Sequence, residues 1–580
     1  MHGIFRCTRR LRLLGLAAVT AALAVAICAG AASNGSAAVG QTRAGSSQGP
    51  VFTWDVAHDV SPSLRDLAQG HIAGDAEDPA DEVEGGPLAQ GDANQADGAL
   101  QSVMPPTTIP STQANFEGLS NQDNFNIFGG RVNPPDNDGE VGPNNYVELI
   151  NLVLGVYDKS GNLLLGPVDI GALWDGFEVS DCADPSGDPV VMYDQFNDRW
   201  ILTQFTTRGP EYWNCVAVST TGDPTGPYYR YAFSTGPNFP DYPKYGNWTD
   251  SYVITTREFG PTTEYGIGVY ALEKNKMLDG EPARSVRFFI DGNVEGNLPL
   301  VGDGLLPGDI DGIKKPKSDE AVPLVGTQDD GAGYGAAFDA LNIWDLNVHW
   351  RSTPDASLAL NTQLPVAPFD SIFPCGLYAG QTSRDCLPQP SVAATANNLL
   401  DILSYRQRPT FRLAYRNFKT YETMVTNQSV EAAPGVAGVR WYEIRRDAAG
   451  AYSLYQQGTY APSDGVDRWM GSIAMDKKGD MGLGYSVVNG TNVYPGIRYT
   501  GRMADDTLGQ MTLGEGTIID GTGIQRTANS RWGDYTDMTV DPVDDCTFWY
   551  VNEYYTLAGQ ISSTAGWQTR IASFKLPGCS

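Results

Sequence analysis

Eight residues stand where polar side chains enter short apolar runs: Asp188, Asp241, Lys244, Arg468, Trp469, Arg531, Trp532 and Asp534. Their types suit recognition of a polar ligand. An arginine can clamp a carboxylate through two parallel hydrogen bonds. A tryptophan can stack on a sugar face, and an aspartate can act as acid, base or calcium ligand. The competing reading is structural, with the same residues forming ion pairs and packing between repeated units. Glycoside hydrolysis needs two carboxylates at a defined separation. Asp188, Asp241, Asp534 and Glu553 are available, and no spacing selects a pair. Elimination needs a base beside a charge-neutralising group, a role Tyr242 and Lys244 could share.

A metal reading rests on Asp136-Asn137-Asp138-Gly139-Glu140, with Asp136 and Asp138 as candidate calcium ligands. The run resembles the start of a calcium loop, but Val147 stands where the twelfth-position glutamate belongs. An Asx-rich turn uses the same residue types. Histidines are few: His2, His58, His71 and His349. His349 reads as an ordinary strand or loop residue. No phosphate-cradling glycine motif is present, and the 66 glycines read as turn residues.

These side chains need a scaffold of strands. Long helical periodicity is scarce, whereas β-branched and aromatic runs are common: Tyr146–Ile150, Trp200–Phe205, Tyr252–Thr255 and Thr547–Val551. The runs recur as a unit of polar entry, apolar strand, Asp-rich turn and aromatic strand. Gly187–Asp194 with Arg199–Leu202, Asp467–Asp476 with Met481–Tyr485, and Arg531–Asp541 with Phe548–Val551 are the clear copies. Weaker ones start near Gly142, Asp241, Asp309 and Pro390. Gly142 to Asp188 is 46 positions and Asp188 to Asp241 is 53, periods that suit four-stranded propeller blades. The count is about seven blades. Six or eight stay open because residues 296–400 are irregular. A pair of β-sandwiches would not explain the recurring unit. If the innermost strands line a central channel, the eight residues come from different blades and converge at its mouth.

The units Gly187–Phe205 and Arg531–Tyr555, with the stretches Pro135–Asn144 and Asp241–Gly246, resemble secreted bacterial β-propeller proteins of poorly defined function whose blades are similar to those of sialidases. The resemblance covers roughly residues 120–580. It implies the fold and transfers no catalytic residue. The repeated S-x-D-x-G-x-x-W box of true sialidases has no clean copy here, which speaks against sialidase activity.

The first 31 residues read as a cleaved signal peptide. Arg6, Arg9, Arg10 and Arg12 precede an apolar run from Leu13, and Ala29-Gly30-Ala31 offers a cleavage site. An uncleaved anchor is the alternative, and Ile27 is too bulky for a lipoprotein site at Cys28. No later segment is apolar enough to span a bilayer. Six cysteines remain, and sequence neighbours suggest disulfides Cys182–Cys215, Cys375–Cys386 and Cys546–Cys579. Residues 32–113, with the acidic stretch of Asp75, Glu77, Asp78, Asp81, Glu82 and Glu84, read as a disordered leader or linker. Residues 114–580 form the propeller. A formal net charge of −29 excludes a nucleic-acid partner. The sequence thus predicts an extracellular propeller binding a ligand, a glycan by preference, at the channel mouth. A glycoside hydrolase or polysaccharide lyase, and a cell-surface scaffold or protein-interaction module, are the alternatives.

Overall fold

The computed structural model describes residues 45, 47–73, 95–184, 186–260, 263–375, 384–395, 397–402 and 407–580. The signal segment 1–31 and the acidic stretch 75–84 lie outside the described residues. The chain is an all-β propeller. Seven antiparallel four-stranded units follow one another among the described residues. Their innermost strands are Asp138–Val141, Val191–Asp194, Phe239–Asn247, Leu306–Ile310, Thr410–Asn417, Asp467–Met475 and Asp537–Val540. Each touches the next in order, and the seventh touches the first, so the ring closes. Blades four and five also pair directly through these strands, Gly308 with Leu413 and Ile310 with Tyr415, in parallel register. The innermost strands of blades four and five therefore run the same way. Strand entries gather at one end of the channel and the first turns at the other.

Blade strands are covered on both faces by neighbouring blades, so they read as apolar and aromatic runs rather than alternating ones. Thr547–Tyr555 is buried at all nine positions. The Asp-rich turns close the first hairpin of several blades through the aspartate's own carboxylate. Asp194 Oδ1 accepts from the Phe196 N–H at 3.1 Å, Asp476 Oδ1 from Lys478 at 2.8 Å, and Asp544 Oδ1 from Cys546 at 2.9 Å. The weaker copies near Gly142 and Pro390 do not open blades. Gly142 directly follows the first strand of blade one, and Pro390 lies two positions past the end of the short strand Leu387–Pro388, ahead of blade five.

The structure corrects the leader. The described residues from Gly45 onward belong to one compact unit. Val51–Trp54 pairs with the outer strand of blade three, and Ala57–Ser63 with that of blade two. Leu100–Gln101 joins blade five, Thr107 bridges to Leu513 of blade six, and Ala114–Ser120 is the fourth strand of blade seven. Edge strands bury one face and one row of backbone groups, so a composition averaged over eighty residues hides them. His71 anchors this strap. Its ring bonds Asp169 at 2.7 Å and Asp175 at 2.9 Å, and these two carboxylates raise its pKa to about 9, the Asp169 bond contributing most. The cysteines pair as 182–215, 375–386 and 546–579. No helix among the described residues is long and apolar enough to cross a membrane.

Candidate functional site at the channel mouth

Five blade entries carry a non-glycine residue in the left-handed region: Asp136 (φ 46°), Asp188 (43°), Tyr242 (53°), Met470 (48°) and Asp534 (65°). An L-residue held there is strained and survives only where neighbours fix it, a pattern concentrated at functional sites. Here the turn re-aims one side chain per blade into the channel. Asn151 fixes two of these turns. Its Oδ1 accepts from the Asp188 N–H at 3.0 Å, and its Nδ2 donates to the Pro134 carbonyl at 3.0 Å. Gly533 fixes a third. Its carbonyl accepts from the Asp136 N–H at 3.1 Å, and its own N–H donates to Glu553 Oε2 at 2.9 Å. A Cβ at Gly533 would lie 2.9 Å from Met470 Cγ at φ +67°, so only glycine fits.

Four of the eight sequence candidates meet here: Asp188, Lys244, Arg531 and Asp534. Arg531 pairs with Asp534 at 2.5 Å. Asp136 joins them and shares a hydrogen bond with Asp188, so one of the pair carries a proton. Burial first, then Asp188 and Asp534, hold the Asp136 carboxyl well above the usual range. Tyr535 donates to Asp188 Oδ2 at 3.1 Å and to the Pro243 carbonyl at 2.9 Å. Tyr242 donates to the Asp534 carbonyl at 3.0 Å. Lys244 Nζ sits 3.2 Å from the centroids of both the Tyr242 and Tyr535 rings. Burial, and next Arg408, push its pKa well below the ordinary lysine value, while Asp188, Asp534 and Asp136 oppose the shift. Asp188 and Arg531 are half-buried and the rest buried, so the cluster reaches solvent through those two.

The other four candidates do not enter the cluster. Asp241 pairs with Arg257 at 2.8 Å. Arg257 bonds Asp303 at 2.9 Å, and Asp303 holds Arg408, whose guanidinium lies 3.6 Å over Tyr242. Asp241 thus supports the site from behind. Arg468 is buried within blade six between Asp464 and Glu515, each at 2.7 Å. Trp469 and Trp532 pack on each other at 5.3 Å in the core between blades six and seven, and Trp532 Nε1 donates to Ser486 Oγ at 3.1 Å. They offer no stacking surface. Each lies one position before a left-handed residue or its glycine, and a one-residue offset in a strand reverses the face. Asp136 and Asp138 do not form a calcium shell. Asp138 Oδ2 accepts from the Val191 N–H at 2.7 Å, with its pKa raised by burial to about 7, while Asp136 faces Asp188. The sequence reading missed Tyr535 and Arg408. Tyr535 follows a candidate by one residue, but Arg408 carried no signal.

At the far end of the channel a buried guanidinium gathers carboxylates from two blades. Arg412 lies 2.5 Å from Asp309, 2.7 Å from Asp311 and 3.5 Å from Asp537. Glu140 and Asp537 are held well above the usual range, burial being the largest cause for each.

No protein-family model matches the sequence, and no curated protein matches it. Among solved structures, an endo-arabinase of Bacteroides thetaiotaomicron is 11% identical over 55% of this chain and 94% of its own, with a TM-score of 0.26. A GH93 α-L-arabinofuranosidase of Fusarium graminearum is 11% identical over 65% and 89%, at 0.30. A sialidase of Trypanosoma rangeli is 9% identical over 67% and 54%, at 0.28. The fold assignment rests on the strand order and the closed ring.

Proposed function

We propose that the chain is an exported propeller that binds a glycan at the entry end of its channel. One observation carries the reading: acidic side chains from three blades converge with Arg531, and two of their oxygens have no protein donor. Asp136 Oδ1 and Asp534 Oδ1 are buried and unpartnered. A buried acceptor left without a donor costs about 1–3 kcal/mol. Sugar hydroxyls supply such donors, and the half-buried Arg531 can take a hydroxyl or carboxylate oxygen from the same ligand. Export is part of the proposal. The basic, apolar and small-residue order of the first 31 residues supports it, as do three disulfides.

A second reading is hydrolysis, with Asp136 as the acid, because burial and the neighbouring Asp188 hold its carboxyl well above the usual range. Screening the wild-type protein on a glycan array, with reducing-end and unsaturated-product assays on each bound glycan, separates the two. Binding reads as retention without product. Asp534→Asn and Arg531→Gln then weaken it at least about tenfold, the loss of one or two good polar contacts. Binding that survives both substitutions overturns the site. Product that vanishes in Asp136→Asn and Asp188→Asn establishes catalysis instead.

A further inference from the structure

The chain has 11 lysines, and ten of them lie on the face opposite the candidate site, where the first and third strands of each blade end. Lys244 is the exception. Five of the ten are neutralised locally. Lys159 pairs with Asp541 at 2.7 Å, Lys274 with Asp194 at 2.6 Å, Lys478 with Asp480 at 3.4 Å and Lys575 with Asp544 at 3.0 Å, and Lys276 pairs with Glu281.

One cluster is different. Lys314, Lys315, Lys317 and Lys419 line an open groove of about 340 Å³ between the first turns of blades four and five. The acidic groups around it are already engaged. Arg446 holds both Glu320, at 3.2 Å, and Glu422, at 2.5 Å. Asp447 Oδ1 accepts the N–H groups of Ala449 and Ala451 and closes its own turn. Among the described residues no carboxylate lies within ion-pair distance of Lys314, Lys315 or Lys419. The groove is also preformed. Asn417 Nδ2 donates to the Lys315 carbonyl at 2.9 Å, and Lys317 Nζ to the Ala448 carbonyl at 3.3 Å, tying the two walls together.

We infer that this groove binds a linear anionic polysaccharide. A strongly acidic protein that leaves Lys314, Lys315 and Lys419 without a carboxylate partner around one concavity has a local field of opposite sign to its surroundings, and clefts focus such a field. Lysine is a point charge on a flexible stem, suited to carboxylate or sulfate groups at loose spacing rather than to one fixed bidentate partner. The concavity favours a chain lying between two loops over a flat bilayer, which would meet only the rims.

The test uses the full mature protein on immobilised polygalacturonate, with neutral dextran and phosphatidylglycerol vesicles as separate arms, at low and at physiological salt. The expected result is binding to polygalacturonate, weakened at least tenfold in the Lys314→Gln/Lys315→Gln/Lys419→Gln variant at unchanged melting temperature. Lys477→Gln/Lys478→Gln, on the same face outside the groove, leaves it within twofold. Three outcomes overturn the inference. These are no binding to polygalacturonate or heparin at low salt, equal binding to dextran, and binding to vesicles alone. Loss in Arg531→Gln with retention in the triple variant would move the polymer to the channel mouth and overturn it too.

Discussion

Arg412→Met is the most informative perturbation of the fold. The guanidinium is 1% exposed and serves Asp309, Asp311 and Asp537, with Glu140 close by. At a separation of about 4 Å and an effective dielectric near 20, each such contact is worth about 4 kcal/mol of Coulomb energy. The variant does not lose that sum, because orphaned carboxylates take up protons. Removing one partner of a buried ion pair costs about 3–5 kcal/mol. Unfolding entropy near 2.1 cal/mol/K per residue, over a body of roughly 500 residues, makes about 1 kcal/mol equal to about 1 °C. The expected loss is therefore about 3–5 °C in Tm at pH 8, read by calorimetry. It shrinks at lower pH, because burial holds the Asp309 carboxyl above its usual range and so eases its protonation. Arg412→Met/Asp311→Asn should recover part of it, since the second change removes a charge the first left unpaired. A single variant within about 1 °C of wild type at pH 8, or a loss larger at pH 5 than at pH 8, would refute the argument.

Three further outcomes follow from the same groups. Stability should fall as pH rises from 5 to 8. Carboxyls raised in the native state, Asp138 and Glu148 to about 7, lose their contribution as pH climbs from about 4 through 7, and His71, raised to about 9, loses its own above about 6.5. Asp544, lowered to about 2, acts oppositely and only below about pH 4, so the Tm optimum lies near pH 4. Glu148→Gln should flatten the slope, because ionising that buried carboxyl costs about 3 kcal/mol; an unchanged Tm-versus-pH curve would sink this. Lys244→Met should raise Tm at pH 7, by removing a buried amine whose charged form desolvation disfavours, while abolishing ligand binding at the mouth; a lower Tm would show that the contacts with the Tyr242 and Tyr535 rings outweigh desolvation. Millimolar calcium should leave Tm unmoved, because Asp136 and Asp138 face different partners; a saturable rise would restore the metal reading.

Much of the fold was legible because blade strands are buried on both faces and therefore conspicuous. Gly187–Phe205, Asp467–Tyr485 and Arg531–Val551 each cover the first hairpin of a blade. The outer strands were not legible. Val51-Phe52-Thr53-Trp54 needs only a sheet edge to become a strand, and no local property of the run announces that edge. At the site, residue type and approximate position identified Asp188, Lys244, Arg531 and Asp534. Trp469 and Trp532 were drawn in by type alone, because the direction of a side chain beside a left-handed turn depends on that turn, which sequence alone did not reveal. Arg408 belongs to the irregular segment before blade five, and it reaches the site through the Asp303 contact rather than through any repeat.

The N-terminal strap has a consequence in time. Its pieces dock in turn on blades three, two, five, six and seven before blade one begins. A ribosome makes them first, yet every surface they pair with is made later, and the partner of Ala114–Ser120 is the strand Trp567–Lys575, almost the last to appear. The earliest-made part of the molecule must wait for the latest. Until the final blade is complete the ring cannot shut and the outer edges stay bare, available to any other strand they meet. Assembly is thus post-translational by construction, and a chain cut short near its C-terminus would lose more than its last blade. It would lose the act that seals the rest.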